Sequence, residues 1–486
     1  MRRQAVPVQL WSKALAPQIE AADGIQRTRV HFVGIGGIGM SGIAEVLLNL
    51  GHVVSGSDLH EGDTTRRLRD LGATVVIGHD REHVGNEIDV VVISSAVGDD
   101  NPEVREARSL HIPVIPRAEM LAELMRLKIG VAVAGAHGKT TTTSLLAAIL
   151  GEAGFDPTLV IGGRLNALGG TNARLGRSPY MVAEADESDG SFLLLKPRLA
   201  IVTNIDREHM NHYGTMDRLI DAYVAFVNGI PFYGRAILCA DCPTVAGMLD
   251  RVNKRVVTYG TSSEHDFAAR EIEHDGLRTR FEVLHRGNSL GRVELATPGR
   301  HVVLNSLAAI AAATELGVDF ITAANALASF GGIQRRFEIK GTRGGITVVD
   351  DYGHHPTEIR ATLAAARVSF EGRIVAVFQP HRYTRTADLF HEFTEAFADA
   401  DVVVITDVYA AGESPIEAIG APGLAAATAR RHGDEVHYRP QGGDLALEVV
   451  RLLRPGDIVI TLGAGDITQL GPQILANLSE PEKLDR

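Results

Sequence analysis

The 486-residue chain has two cysteines, Cys239 and Cys242. Their C-x-x-C spacing suggests a redox pair or half a metal site, but no second pair exists to complete a zinc site. They read better as small residues just behind a strand, in a chain kept in a reducing compartment. No run of 18 apolar residues occurs, so no membrane span is expected. No apolar stretch backs the Arg2-Arg3 pair, so no signal peptide is expected either. Residues 1–24 read as a poorly ordered extension, and the location as cytoplasmic. Positive charge is not in excess: the net charge is −12, which argues against a broad nucleic-acid surface and leaves room only for a local basic pocket. What remains is a globular composition, 45% hydrophobic and 22% charged, on a chain long enough for three domains.

Two glycine turns organise what is present. The stronger is Val131–Ser144, V-A-V-A-G-A-H-G-K-T-T-T-T-S. An apolar run (Ile129–Ala134) enters the turn, and an apolar helix pattern (Leu145–Leu150) leaves it. A strand, a glycine loop and a helix N-terminus make a phosphate cradle, because backbone N–H groups and the helix dipole both favour an anion. The residues concerned are Gly135, Ala136, His137, Gly138, Lys139, Thr140 and Thr141. Lys139 adds a full charge, and Thr140 offers a hydroxyl to Mg²⁺. The spacing G-x-x-G-K-T matches only the second half of the general phosphate-loop motif, and the plain alternative is an ordinary βα turn.

The second turn is Gly34-Ile35-Gly36-Gly37-Ile38-Gly39, a full G-x-G-x-x-G with Asp58 about 20 residues on. It lies in a βαβ rhythm with strands predicted at Arg29–Val33, His52–Ser55, Thr74–Ile77, Val90–Ser94 and Pro113–Ile115. By itself it suggests NAD, but its physics admits any nucleoside diphosphate: glycines allow close approach and the carboxylate takes a ribose hydroxyl. Ser94 and Ser95, at a strand's C-terminal end, face the same crevice.

Acidic and imidazole groups follow. Tyr180–Asp189 ends a short strand in four carboxylates, and Mg²⁺ wants one or two of these plus phosphate oxygens. One or two of the four are expected to be functional, with Glu184, nearest the strand, the first choice; a solvated acidic turn accounts for most of the rest. The strand Leu199–Thr203 runs into Asn204–Tyr213, where His209 and His212 stand three apart, better suited to assisting the magnesium site than to a zinc pair. Residues 261–297 read as a small antiparallel excursion (Arg278–Leu284, Gly291–Leu295). An Ala-rich helix, Val302–Leu316, carries Asn305 near its start. Arg335-Arg336 after Gly331-Gly332 form an anion clamp, a hinge or a solvated basic turn. From residue 342, strands at Ile346–Val349, Ile374–Phe378, Val402–Thr406 and Ile458–Thr461 each end in a polar cluster, where ligands bind in parallel sheets.

Five of these runs together are specific. G-A-H-G-K-T-T-T-T, E-A-D-E-S-D, V-T-N-I-D-R-E-H, D-D-Y-G-H-H-P-T-E-I and F-Q-P-H-R-Y-T-R resemble the ATP-dependent Mur ligases of peptidoglycan precursor synthesis, nearest to the branch that adds alanine. G-I-G-G-I-G-M-S-G-I-A, F-Y-G-R-A and L-G-A-G-D-I extend the likeness over nearly the whole chain from about residue 29. The resemblance implies an α/β protein of three domains: a Rossmann-like UDP-sugar domain (25–126), a central P-loop ATPase-type domain (127–341) and a C-terminal Rossmann-like domain (342–486). It implies ATP and Mg²⁺, with UDP-N-acetylmuramate and L-alanine as the joined substrates, no nucleic acid or membrane partner, and a monomer or homodimer. UDP then replaces NAD at Gly34, Gly36, Gly37, Gly39, Asp58, Ser94 and Ser95. Lys139 would hold the β- and γ-phosphates. Thr140, Glu184 and His209 would bind Mg²⁺. His301 and Asn305 would frame the adenine, Asp351 would take the ribose, and Arg336 would reach the phosphates. His381, Arg382 and Arg385 would surround the reacting centre, with Arg382 or Arg385 on the alanine carboxylate, since an arginine fork matches two oxygens.

Some positions depart from the family pattern: Ala136 for threonine, Val302 for asparagine, Gly353 for alanine. No lysine lies between Lys196 and Lys254, so the carbamylated lysine of several related ligases is absent, as the resemblance implies for the alanine-adding branch. The rival readings are a sibling ligase that attaches a preformed tripeptide, an NAD-dependent oxidoreductase and a non-catalytic nucleotide switch.

Overall fold

The computed structural model describes residues 27–94, 96–165, 171–416 and 419–478. Its strands form three sheets. The chain divides into two compact units. One runs to Arg270 and includes Glu282–Val293 and Leu304–Phe330; the other holds Glu271–Phe281, Glu294–Val303 and everything from Gly331.

The first sheet has β1 (Arg29–Val33), β2 (Val53–Asp58), β3 (Thr74–Ile77), β4 (Val90–Ile93) and β5 (Val114–Pro116), in the order β3-β2-β1-β4-β5 and all parallel. β4 is apolar throughout, and β1 is buried from Val30 to Val33, as strands covered on both faces require. The switch in strand order between β1 and β4 opens a crevice at their C-terminal ends. There β1 leads through the first glycine turn into helix α1 (Ile38–Asn49), and β4 is followed by α2 (Pro102–Ser109), capped by the Asn101 side chain.

The second sheet has ten strands: β6 (Ile129–Ala134), β7 (Thr158–Leu165), β8 (Thr171–Arg174), β9 (Tyr180–Glu184), β10 (Leu199–Val202), β11 (Arg235–Cys239), β12 (Val256–Gly260), β13 (Phe267–Asp275), β14 (Arg278–His285) and β15 (Asn288–Leu295). Their order is β15-β14-β13-β12-β11-β10-β6-β9-β7-β8. β6 lies between β9 and β10, both parallel to it, so the residues that follow all three strands gather at one edge. β6 feeds α3 (Lys139–Glu152), and α4 (Arg300–Glu315) follows β15. One continuous core joins Val30 and Phe32 of the first sheet to Ala132 and Ala200 of the second and to Tyr223 of the helix Met216–Asn228.

The third sheet has β16 (Glu338–Arg343), β17 (Ile346–Asp351), β18 (Ile374–Phe378), β19 (Val402–Ile405), β20 (Val436–Tyr438) and β21 (Ile458–Leu462), in the order β16-β17-β21-β18-β19-β20. Only β16 runs antiparallel to its neighbour. A short helix, α5 (Tyr383–Asp388), begins just past β18. The expected strands and the Ala-rich helix all form, with ends moved by a few residues. Cys239, at the end of β11, is buried, and neither it nor Cys242 is in a disulfide. No helix among the described residues is long and apolar enough to cross a membrane.

Candidate active site

The lysine loop is built by backbone that only glycine tolerates. Gly135 stands at φ +134°, and a Cβ there would collide with the Thr203 hydroxyl. Gly138, at φ +81°, would drive a Cβ into the Asn305 amide. Both are left-handed conformations that L side chains rarely adopt. The residues after β10 brace the loop from outside. Asn204 accepts from His137 N at 2.9 Å and donates to His137 O at 3.0 Å; the Thr203 hydroxyl donates to the same carbonyl at 2.6 Å. His137 Nε2 lies 3.0 Å from Asp206. Thr140 and Thr141 open α3, directly behind the loop.

Lys139 turns back onto its own loop. Its ammonium donates to Gly135 O at 2.5 Å and Ala136 O at 3.3 Å, and to both oxygens of Glu187 at 2.8 and 2.9 Å. Glu187 is only 1% exposed, so a buried carboxylate neutralises a largely buried cation. Burial pushes the Glu187 carboxyl up to about 7, with Lys139 opposing and Asp186 adding to it. Burial also works against the Lys139 charge, but Glu187, Asp186 and Glu184 together hold the ammonium above its usual range. His209 enters the same cluster, its Nε2 3.7 Å from Glu187 and 3.3 Å from Glu208. The His209 backbone sits at φ 57° to aim it there. Glu184 closes β9 within electrostatic reach of Lys139.

This is where sequence reading missed a partner. It preferred Glu184 and passed over Glu187, two residues further into the turn. The main chain of Glu187 is held by the Tyr213 hydroxyl at 2.5 Å, across 26 positions of sequence. Asn204 and Asp206 were also unassigned; their place just past a strand beside the loop was the available signal.

At the first glycine turn, Asp58 Oδ2 accepts from Gly36 N at 2.8 Å. Gly34 takes φ +81°, with the Ser94 side chain 3.6 Å from where its Cβ would sit. Gly37 precedes α1 and Gly39 lies in its first turn, under the Arg117 side chain. Arg117 in turn reaches Asp186 at 3.3 Å. Ser95 lies outside the described residues.

In the other unit, polar residues cluster past β17, β18 and β21. Arg335 donates to Gly463 O at 2.5 Å and lies 3.4 Å from Asp350, so it is a clamp within the fold rather than a solvated turn. The guanidinium groups of Arg335 and Arg336 lie 4.9 and 5.1 Å from the Tyr352 ring centre. Arg336 also stands 3.8 Å from Glu358. Asp351 accepts from Phe337 N and Gly353 N, each at 2.8 Å, and from the Thr362 hydroxyl at 3.1 Å. Burial still leaves its carboxyl above the usual range. Burial and then Arg336 push His301 down to about 4.

His381 stacks on Tyr409 at 5.5 Å and meets His354 edge-on at 5.7 Å. Arg385 lies 3.2 Å from its Nδ1. Because arginine has no acceptor, Nδ1 must accept, which puts any ring proton on Nε2. Burial, His354 and Arg385 push His381 down to about 3, so the ring is neutral at physiological pH. Arg382 is exposed and held at φ 68°, its N donating to Tyr409 O at 2.8 Å.

Three family models match in succession: "Mur ligase family, catalytic domain" over 29–129, "Mur ligase middle domain" over 133–313, and "Mur ligase, glutamate ligase domain" over 335–465. A UDP-N-acetylmuramate–L-alanine ligase of Pelobacter propionicus is 57% identical over 454 residues, covering 93% of this chain and 98% of the relative. Its counterpart from Anaeromyxobacter dehalogenans is 58% identical over 453 residues, with the same coverage. The crystal structure of a UDP-N-acetylmuramate-alanine ligase from Thermotoga maritima superposes with a TM-score of 0.76 at 30% identity, over 93% of this chain and 99% of that one.

Proposed function

The chain belongs to the Mur ligase family, and on that premise we propose that it joins L-alanine to the lactyl carboxylate of UDP-N-acetylmuramate, converting ATP to ADP and phosphate. The observation that carries the reading is the Lys139 ammonium, pinned at the mouth of a strand–turn–helix cradle against a buried carboxylate.

A free carboxylate is a poor electrophile, so the lactyl carboxylate oxygen first takes the γ-phosphoryl group and ADP leaves. The alanine amine then attacks the acyl carbon, loses a proton and expels phosphate, leaving an amide. The protein's work is positioning and charge neutralisation. In this reading Lys139 exchanges Glu187 for the β- and γ-phosphates, with Gly135, Ala136, His137, Gly138, Thr140 and Thr141 lining them. Thr140, Glu184 and His209 hold Mg²⁺; the hydroxyl and carboxylates gathered at the loop are hard donors that suit it. When bound, the ion supplies positive charge beside the phosphate oxygens. His301 and Asn305 frame the adenine, Asp351 takes the ribose and Arg336 reaches the phosphates. His381, Arg382 and Arg385 surround the reacting centre, His381 as a neutral ring whose Nε2–H can donate, and Arg382 or Arg385 pairs with the alanine carboxylate; the proton lost by the amine passes to water. The first glycine turn, with Asp58, Ser94 and Ser95, receives the UDP-sugar. The domain limits 25–126, 127–341 and 342–486, a cytoplasmic location and a monomer or homodimer belong to the same proposal.

The test is ADP release by the purified protein with ATP, Mg²⁺, UDP-N-acetylmuramate and either L-alanine or a preformed tripeptide. Release is expected with L-alanine and only when the UDP-sugar is present. Turnover with the tripeptide alone would replace alanine as the substrate, and tight NADH binding would overturn the reading of the first turn.

A further inference from the structure

One buried carboxylate has no part in the reaction above. Glu103, in the first turn of α2, is fully buried. Four side chains from three other parts of the fold converge on it. The Ser57 hydroxyl of β2 donates to its Oε2 at 2.5 Å. His83 Nδ1 lies 2.6 Å from Oε1, His79 Nδ1 3.5 Å from Oε2, and His31 Nε2, from β1, 3.6 Å from Oε2. Asp80 N adds a donor at 3.4 Å, and His79 also meets the Ser57 hydroxyl at 2.9 Å. Burial alone would push this carboxyl up. The adjacent His31 ring and the hydrogen bonds from Ser57 and His83 outweigh it and hold the group at about 2, so it stays a carboxylate.

The cluster connects to the ligand crevice through one residue. The Ser57 carbonyl accepts from Gly34 N at 2.8 Å and Ile35 N at 2.9 Å, the first two amides of the glycine turn. Its neighbour Gly56 packs so closely that a Cβ would strike Ile35. Ser57 therefore joins two structures: its side chain is held by Glu103, and its backbone holds the turn.

We propose that Glu103 is a positioning residue for the UDP-sugar, fixing Ser57 and through it the shape of the Gly34–Gly39 turn. The proposal rests on the reading of that turn as the UDP-sugar cradle. It predicts that damage to Glu103 falls on one substrate. A residue that merely stabilised the fold would weaken every step alike. Glu103 instead acts on the diphosphate turn and leaves the lysine loop, which lies past β6, untouched.

The experiment measures KM for UDP-N-acetylmuramate and for ATP in the wild type, Glu103→Gln, Ser57→Ala and the double variant, with UDP affinity measured by calorimetry. In Glu103→Gln, KM for the UDP-sugar is expected to rise at least tenfold, about 1.4 kcal/mol. KM for ATP should stay within twofold, so the loss appears in the UDP-sugar KM rather than in ATP use. Ser57→Ala should move the same constant in the same direction. The double variant should be no worse than the more damaged single one, because both break one linkage. Equal rises in both KM values, or additive losses in the double variant, overturn the proposal. Ser57→Ala carries the same test if Glu103→Gln does not fold. A wild type that turns over with alanine while Glu103→Gln keeps its UDP affinity defeats this inference alone. A wild type that binds no UDP defeats the reading of the turn, and this inference with it.

Discussion

Gly135→Ala tests the geometry of the lysine loop most directly. At φ +134° an alanine meets about 1–3 kcal/mol of backbone strain. Its Cβ also takes the place of the Thr203 hydroxyl, whose 2.6 Å bond to His137 O is lost when the side chain moves. That adds about 1 kcal/mol, for a total of about 2–4 kcal/mol. Thr203→Ala alone loses the hydrogen bond without strain, about 1 kcal/mol. In the double variant the collision is relieved and the bond is lost once, so the combined loss should fall about 1 kcal/mol short of the sum of the singles. Urea titration gives these values if read from the transition that ADP shifts to higher denaturant. ADP calorimetry on the same proteins should show weaker binding in Gly135→Ala, partly recovered in the double variant. Strictly additive losses, or a Gly135→Ala protein within 0.5 kcal/mol of wild type, would refute the account of the loop.

Replacing Lys139 by Met should lower alanine-dependent ADP release on the order of 10²–10³-fold, the scale of losing one preorganised charge contact; a rate within threefold of wild type would remove the lysine from the reaction. Chelation with EDTA should abolish turnover, and Glu184→Gln should raise the Mg²⁺ concentration for half-maximal rate about tenfold, read from a metal titration at fixed ATP; an unchanged midpoint would move the ligand elsewhere, with Glu187 the next candidate. His301 and His381 are held at about 4 and about 3, below the ordinary 6.5. Between those values the unfolded chain binds the extra protons, so stability is full above about 6.5 and falls as pH drops toward 4. Thermal melts from pH 7 to pH 4 should therefore fall less steeply in His301→Asn than in wild type, and parallel slopes would contradict the sign.

The order of strands and helices could be read from the chain because short apolar runs bounded by glycine and polar clusters leave few alternatives. Lys139 could be placed for the same reason: a strand, a glycine turn and a helix start are contiguous in sequence, and their local geometry puts the lysine at the turn whatever the rest does. The Gly34–Gly39 turn and its closeness to Asp58 were legible on the same grounds. Glu187 was not. Choosing among four neighbouring carboxylates requires knowing which one the chain folds back, and that is decided by the Tyr213 hydroxyl, 26 residues away. Asn204 and Asp206 meet the loop only because β10 pairs beside β6, a registration fixed by burial of the whole sheet. Glu103 was invisible for a similar reason, since its partners come from β1, β2 and the segment past β3. The sequence by itself determined the elements and the two glycine turns, because periodicity and turn chemistry act over a few residues. Only the tertiary structure decided which charges face which, because in a dry interior a carboxylate's partner is set by packing between distant segments.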